Sequence, residues 1–311
     1  MWSVVWSLVP VVGVSVYAFG PSAVLILTAS VAGAVLTERL FGKPGSLRDG
    51  TALITGLLVG LCLPAGLPLW MAALGAAAGV GLGKLVFGGL GQNLFNPALL
   101  GRAFLQAAFP VAMTTWPVRQ AAAWWSLKGD NFAWPLMSAA HDTVTGATPL
   151  GLMKFEQTPT PVAELLFAQA SGSMGEAGAI AILAGGAYLA LRNCLNWRIP
   201  ASIFLSVAVM AGVLHAIDAV RYPSVPFALL SGGLMLGAVY MATDPVTAPI
   251  TNRGRWIFGI GIGVLVILIR TWGGLPEGVV YAILIMNALV PFINRATQPR
   301  VFGTRLSGVD Q

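Results

Sequence analysis

Apolar residues fill this chain in ten blocks parted by short polar breaks, most of them near the ~20 residues a helix needs to cross a bilayer. The blocks predict spans over 2–20, 21–40, 51–63, 67–87 and 95–113, then 177–191, 197–220, 225–243, 256–272 and 277–293. Between the two sets lies one long hydrophilic stretch, 114–176, with Trp-Pro pairs, Ser and Gly. The expected fold is an all-α polytopic membrane protein. It has a first five-helix unit in 1–113, a loop in 114–176, a second five-helix unit in 177–294 and a polar tail in 295–311. The third block is short and Gly-rich. The first block runs into the second with no small-residue cleavage site, so no cleavable signal is expected.

The two units resemble each other. Ala52-Leu53-Ile54-Thr55-Gly56 recurs as Ala228-Leu229-Leu230-Ser231-Gly232, Gly88-Gly89-Leu90 as Gly273-Gly274-Leu275, and Asn96-Pro97-Ala98-Leu99 as Asn287-Ala288-Leu289. The separations of 176, 185 and 191 residues keep their order, which a repeat explains and shared composition does not. Five spans per unit is an odd number, so the second copy enters the membrane inverted, as in transporters whose interrupted spans line a site at the repeat interface. Paired Gly-rich interruptions are tolerated in lipid only where the backbone faces protein or a cavity. Thr55, Gly56, Asn96, Ser231, Gly232 and Asn287 are therefore candidates to line such a path. Arg102 joins them, because a bare cation inside a span costs roughly 2.5–3.5 kcal/mol and must either pair or face an internal site.

Charge orients this picture. Charged residues make up 9% of the chain and hydrophobic ones 57%, whereas about a quarter of a soluble domain is charged. The net charge of +6 comes from basic residues dispersed singly between spans, so no nucleic-acid patch is expected. Arg39, Lys43, Arg48, Lys84, Arg192, Arg198, Arg253, Arg255, Arg295, Arg300 and Arg305 fall on the side of both termini, which the positive-inside rule makes cytoplasmic. The opposite short loops carry only Arg221, with Arg270 at a span's edge. Arg119, Lys128 and Lys154 lie in the long loop, which crosses largely regardless of charge. That loop is expected outside, in the periplasm if the membrane is a bacterial inner membrane. Cys62 and Cys194 are far apart, and His141 and His215 are too few and too badly placed for a haem pair. No metal-ligating or catalytic residue set is read.

Inside the loop, Asp142-Thr143-Val144-Thr145-Gly146-Ala147-Thr148-Pro149-Leu150 forms a polar island. Thr145 and Thr148 flank a Gly-Ala pair with almost no steric cover, so a bulky group could be attached there. Pro149 disfavours the α region at Thr148 and predicts an extended backbone that presents the hydroxyl outward. Threonines capping a turn in an ordinary loop are the plainer reading. The order Asp, two residues, Thr, Gly, Ala, Thr resembles the pattern of membrane subunits that carry covalent flavin. In that family FMN is joined through its phosphate to the last hydroxyl, here Thr148, while Asp142, Thr145, Gly146 and Ala147 complete the pattern. Residues 88–98, 243–255 and 298–303 extend the resemblance over nearly the whole chain. The family is the one holding the D subunit of the Rnf electron-transport complex and the B subunit of the sodium-pumping NADH:quinone reductase.

The resemblance implies a flavin-carrying part of a machine that passes electrons between ferredoxin and NAD and couples this to Na+ or H+ movement. Its partners would be the other Rnf subunits, among them iron–sulfur subunits and a second covalent-flavin subunit, and a flavin transferase would load it. At the repeat interface the same reading places a noncovalent flavin, riboflavin, or an ion path. The chain has no GxGxxG opening a strand and helix, so a bound flavin is its expected redox centre. An inverted-repeat solute or ion transporter, with the polar loop as a lid, is the alternative. Asp244 reads as a turn former beside Pro245 or as part of a site, and His141 as a solvated loop residue or a proton relay. Trp116, Trp124, Trp125 and Trp134 read as an interfacial belt or as flavin-stacking rings.

Overall fold

A computed structural model describes residues 1–117, 124–135, 145–166 and 171–299. Asp142, Thr143, His141, Arg119 and the tail from residue 300 lie outside the described residues. Within them the chain is helical, with no strand and one isolated bridge between Pro117 and Thr145.

Every apolar block forms helix. The first two give α1 (Trp2–Phe19) and α2 (Pro21–Phe41), turning at Gly20, whose φ of 66° suits a residue without Cβ. Pro21 then starts α2 at a position where its missing N–H costs nothing. The next are α3 (Thr51–Leu61), α4 (Leu69–Val80), which runs on through a π turn at Gly81–Leu85, and α5 (Pro97–Ala108). The second half holds α6 (Ala179–Leu191), α7 (Arg198–Ile217), a broken α8, α9 (Asn252–Trp272) and α10 (Val279–Thr297). Five of these, α1, α2, α7, α9 and α10, are long and apolar enough to cross a membrane, and α3, α4 and α6 are shorter apolar helices. The architecture is that of a multi-pass helical membrane protein.

The block 225–243 is not one helix. It divides into α8a (Val225–Leu230) and α8b (Leu234–Leu236, continuing as a π turn over Gly237–Met241), with Ser231-Gly232-Gly233 between them and Gly232 at φ 67°. A break inside a span strands carbonyls that lipid cannot satisfy. Arg270 supplies the donors: Nη1 reaches the Ala228 carbonyl at 2.6 Å and Nη2 the Ser231 carbonyl at 2.8 Å. Thr55-Gly56, the matching pair in the first half, lies within unbroken α3. Gly56 serves close packing instead, since a Cβ there would sit 2.6 Å from Val31 Cα on α2.

Both halves pack in the same order. In the first, α2 lies mainly against α4 and α3, and α4 against α5; in the second, α7 lies mainly against α9, and α9 against α10. Small residues allow the close approach. Gly33 of α2 faces Ala73 of α4, and Gly259 and Gly263 of α9 face Ser202 and Ser206 of α7. One apolar core runs through both halves, which meet where α1 packs on α6 and α5 on α10.

Candidate functional site

Thr148 is held from two directions. Upstream, the Gly146 N–H donates to the Trp116 carbonyl at 2.8 Å and Thr145 bridges to Pro117, so the strip 145–148 is tied to the chain leaving α5. Downstream, Pro149 begins a short helix (Pro149–Gly151) that continues as a π turn, Leu152–Glu156. Leu150 and Met153 bury against Leu165 and Phe227. Thr148 is extended, at φ −72° and ψ 154°, as the following proline requires. Its Oγ1 accepts the Gly151 N–H at 3.1 Å. The turn-capping role and the candidate attachment atom are thus the same oxygen, and its own proton is not needed for the cap. Thr148 is half-buried, whereas Thr145 and Ala147 are exposed and Gly146 is intermediate.

The Thr148 side chain lines a cleft of about 620 Å³ with Arg102, Trp116, Glu176, Gly232 and Glu277. Arg102, on α5, is buried and forms an ion pair with Glu277, just before α10. The other Glu277 oxygen accepts the Gly233 N–H at 2.7 Å. One carboxylate therefore links the first half to the break in α8. Glu176 caps its own turn, accepting the Ser173 hydroxyl at 2.6 Å.

A second cavity, of about 790 Å³, opens at the end of the bundle that carries Met1 and the 243–246 turn. Thr55, Asn96, Asn93, Lys84, Tyr240 and Asp244 are among its walls. Asn96 caps α5, accepting the Ala98 and Leu99 N–H groups at 2.9 and 3.3 Å, and its amide donates to the Met241 carbonyl at 3.1 Å. The structure thus brings Asn96 to the second half's broken helix. Asn93 is buried and its Oδ1 has no partner among the described residues. Asp244 accepts the Val246 N–H and the Thr247 hydroxyl, as a turn former does. Burial nevertheless pushes its carboxyl above the usual range, against the pull of those two hydrogen bonds.

The sequence-predicted residues therefore divide between two cavities: Thr148, Arg102 and Gly232 line the first, Thr55 and Asn96 the second. Ser231 and Asn287 are fully buried, with side-chain polar atoms that have no partner among the described residues. Gly56 is a packing residue. Lys84 departs from its sequence reading as a loop cation. It is 3% exposed, with Nζ 2.6 Å from Glu38 Oε1 and hydrogen-bonded to the Thr51 hydroxyl. Glu38, Glu176 and Glu277 were not singled out from the sequence, although an Arg and a Lys inside apolar blocks each called for a carboxylate partner. The tryptophans also divide. Trp116 walls the cleft, Trp124 Nε1 donates to the Tyr17 carbonyl at 2.9 Å, and Trp125 and Trp134 are largely exposed.

The chain is similar to known proteins over nearly its whole length. The NQR2, RnfD, RnfE family matches the chain over residues 1–303. The D subunit of an ion-translocating oxidoreductase complex from Stutzerimonas stutzeri is 40% identical, across 99% of this chain and 92% of that protein. The D subunit of a proton-translocating ferredoxin:NAD(+) oxidoreductase complex from Clostridium ljungdahlii is 38% identical, across 98% and 91%. Its counterpart in a Na(+)-translocating complex of the same kind from Acetobacterium woodii is 38% identical, across 97% and 90%.

Proposed function

The chain belongs to the NQR2, RnfD, RnfE family, and from that premise we propose that it is the flavin-carrying membrane subunit of an ion-translocating ferredoxin:NAD oxidoreductase. In this reading FMN is joined by a phosphoester to Thr148, placed there by a flavin transferase, and the other subunits of the complex, iron–sulfur and flavin-bearing, deliver and collect the electrons. The observation that carries it is the position of Thr148 Oγ1, half-buried on the wall of the Arg102–Glu277 cleft and at the last hydroxyl of the family pattern.

Bound there, FMN supplies one- and two-electron transfer. The residues of this chain supply position. The Trp116–Gly146 hydrogen bond and the packing of Leu150 and Met153 fix the loop on both sides of Thr148. A tether at that point replaces diffusion with a high effective concentration. Glu277 neutralises Arg102, so the cleft presents a paired cation and orients a ligand without a large net field. We assign the noncovalent flavin, riboflavin, or the ion path to the second cavity, which Thr55 and Asn96 line. Among the described residues Asn93 Oδ1 in its wall is left unsatisfied, and Asn287 and Ser231 are buried polar groups of the same kind. We place the subunit in a bacterial inner membrane as ten spans in two inverted repeats, with both termini cytoplasmic and 114–176 periplasmic. The matching packing order of the halves supports that arrangement. The relatives named for protons and for sodium are equally similar, at 38%, so similarity does not choose the ion.

The test is fluorescence. Chain co-expressed with a flavin transferase should give a band on a denaturing gel that glows under ultraviolet light. Thr148→Ala should be dark and Thr148→Ser should keep part of the signal. A dark wild-type band would favour the transporter alternative.

A further inference from the structure

A third cavity, of about 1,050 Å³, lies beside the loop helix that follows Thr148, between the C-terminal ends of α7 and α9. Its walls change character with depth. At the rim are Lys154 and Arg221, with Arg270 buried in the wall beside them, and no carboxylate lines it among the described residues. Below the rim are Ala211 and Leu214 of α7, Ile267 of α9, and Phe227 of α8a. At 1.5 Å per residue, Ala211 lies about 9 Å and Ile267 about 7.5 Å inside the ends of their helices. The apolar floor therefore follows the spans inward, while the cations stay at the helix ends.

The cations keep donor capacity. Lys154 Nζ donates to the Gly273 and Leu275 carbonyls, which uses two of its three N–H groups. Arg270 binds two carbonyls through its Nη atoms and leaves Nε without a partner among the described residues. Arg221 stacks its guanidinium 5.7 Å from the Tyr222 ring centroid and makes no ion pair among the described residues. Near Arg221, Asp218 accepts the backbone N–H groups of Val220 and Arg221, while Glu277 and Glu176 act on Arg270 from outside the groove. The flanking helix faces are apolar and open: Val213 and Ile217 on α7 and Leu268 on α9 are exposed.

We propose that this groove is a binding site for one anionic phospholipid, its phosphate at Lys154 and Arg221 and an acyl chain along Ala211, Leu214 and Ile267. A basic rim above a hydrocarbon floor matches an amphiphile with an anionic head. The wall facing the lipid includes Leu150 and Met153, so the lipid also braces the segment that begins at Thr148.

Native mass spectrometry of the full chain tests this, with dioleoyl phosphatidylglycerol and dioleoyl phosphatidylcholine offered at equal concentration in mild detergent. Each basic contact should favour the anionic lipid by about fivefold. Wild type should retain one phosphatidylglycerol in more than tenfold excess over phosphatidylcholine. Lys154→Gln with Arg221→Gln should bring the two lipids level, and Arg198→Gln, at the opposite end of α7, should leave the preference intact. Should the double variant prove misfolded by circular dichroism, Ala211→Trp keeps the question answerable: by filling the floor it should reduce retention of both lipids. Equal retention by wild type overturns the proposal, as does preference within twofold of wild type in a folded double variant, or undiminished retention in Ala211→Trp. Loss of a neighbouring subunit from the purified complex, with lipid retention unchanged, would assign the groove to a protein partner instead.

Discussion

Replacing Glu277 by Gln should loosen the contact that joins the two halves beside Thr148. The carboxylate serves two donors at once, Arg102 through Oε2 and the Gly233 N–H through Oε1. A glutamine keeps one acceptor oxygen and loses the charge, which leaves Arg102 buried without its paired carboxylate, though Glu176 on the same cleft still acts on it. Breaking a buried pair from one side costs about 3–5 kcal/mol. The Glu277 side chain is 16% exposed and Arg102 8%, so solvent takes up part of the loss and the lower figure, about 3 kcal/mol, applies. That is about a hundredfold in the opening equilibrium. Cys62 reports it, since it is buried and lies beside Arg102, whereas Cys194 is exposed and is removed as Cys194→Ser. Alkylation of Cys62 should quicken about a hundredfold in Glu277→Gln. The double variant Arg102→Met with Glu277→Gln removes both members of the pair, and the cycle should return a coupling of about 2 kcal/mol or more. Effects that add to within about 0.5 kcal/mol would refute the reasoning, because the two residues would then not interact.

Other consequences are as concrete. Gly232→Ala forces a Cβ onto a φ of 67° and places it 2.6 Å from Leu150 Cδ1 and 3.2 Å from Arg270 Nη2; a loss of about 1–3 kcal/mol in unfolding is expected, and an unchanged melting temperature would speak against a rigid break. Asn96→Ala removes the α5 cap and the bond to Met241. About 1–2 kcal/mol of stability should go, and with it any noncovalent flavin extractable from the protein; unchanged flavin content would remove Asn96 from that site. Reporter fusions at Gly129 and at the C-terminus should give opposite answers for location, and matching answers would end the topology argued from basic residues.

Much of the fold could be read from apolar block length alone. The α1–α2 turn falls at Gly20-Pro21, as predicted, because a positive-φ glycine before a proline is a local signal. The break in α8 was only half legible. Ser231-Gly232 and Thr55-Gly56 carry nearly the same letters, yet one pair interrupts a helix and the other does not. The difference lies in Arg270, 39 residues on from Ser231, which satisfies the carbonyls a break exposes. Long-range pairing also hid Glu277, which stands 175 residues from Arg102 and reads in sequence as a span boundary. The burial of Lys84 was hidden in the same way, since its partner Glu38 stands 46 residues earlier. The extended backbone at Thr148 was legible because its signal is local, set by the proline that follows.

The central claim, that Thr148 carries the flavin, is tested most directly by peptide mass. Tryptic cleavage after Lys128 and Lys154 releases residues 129–154, which hold Thr143, Thr145 and Thr148 together. In chain purified from cells containing a flavin transferase, this peptide should be heavier by one FMN less one water. Fragmentation should place the added mass on Thr148, and Thr148→Ala should return the unmodified mass while the protein stays folded in the membrane. A flavin adduct that persists in Thr148→Ala, or that fragmentation places on Thr145, would contradict the assignment.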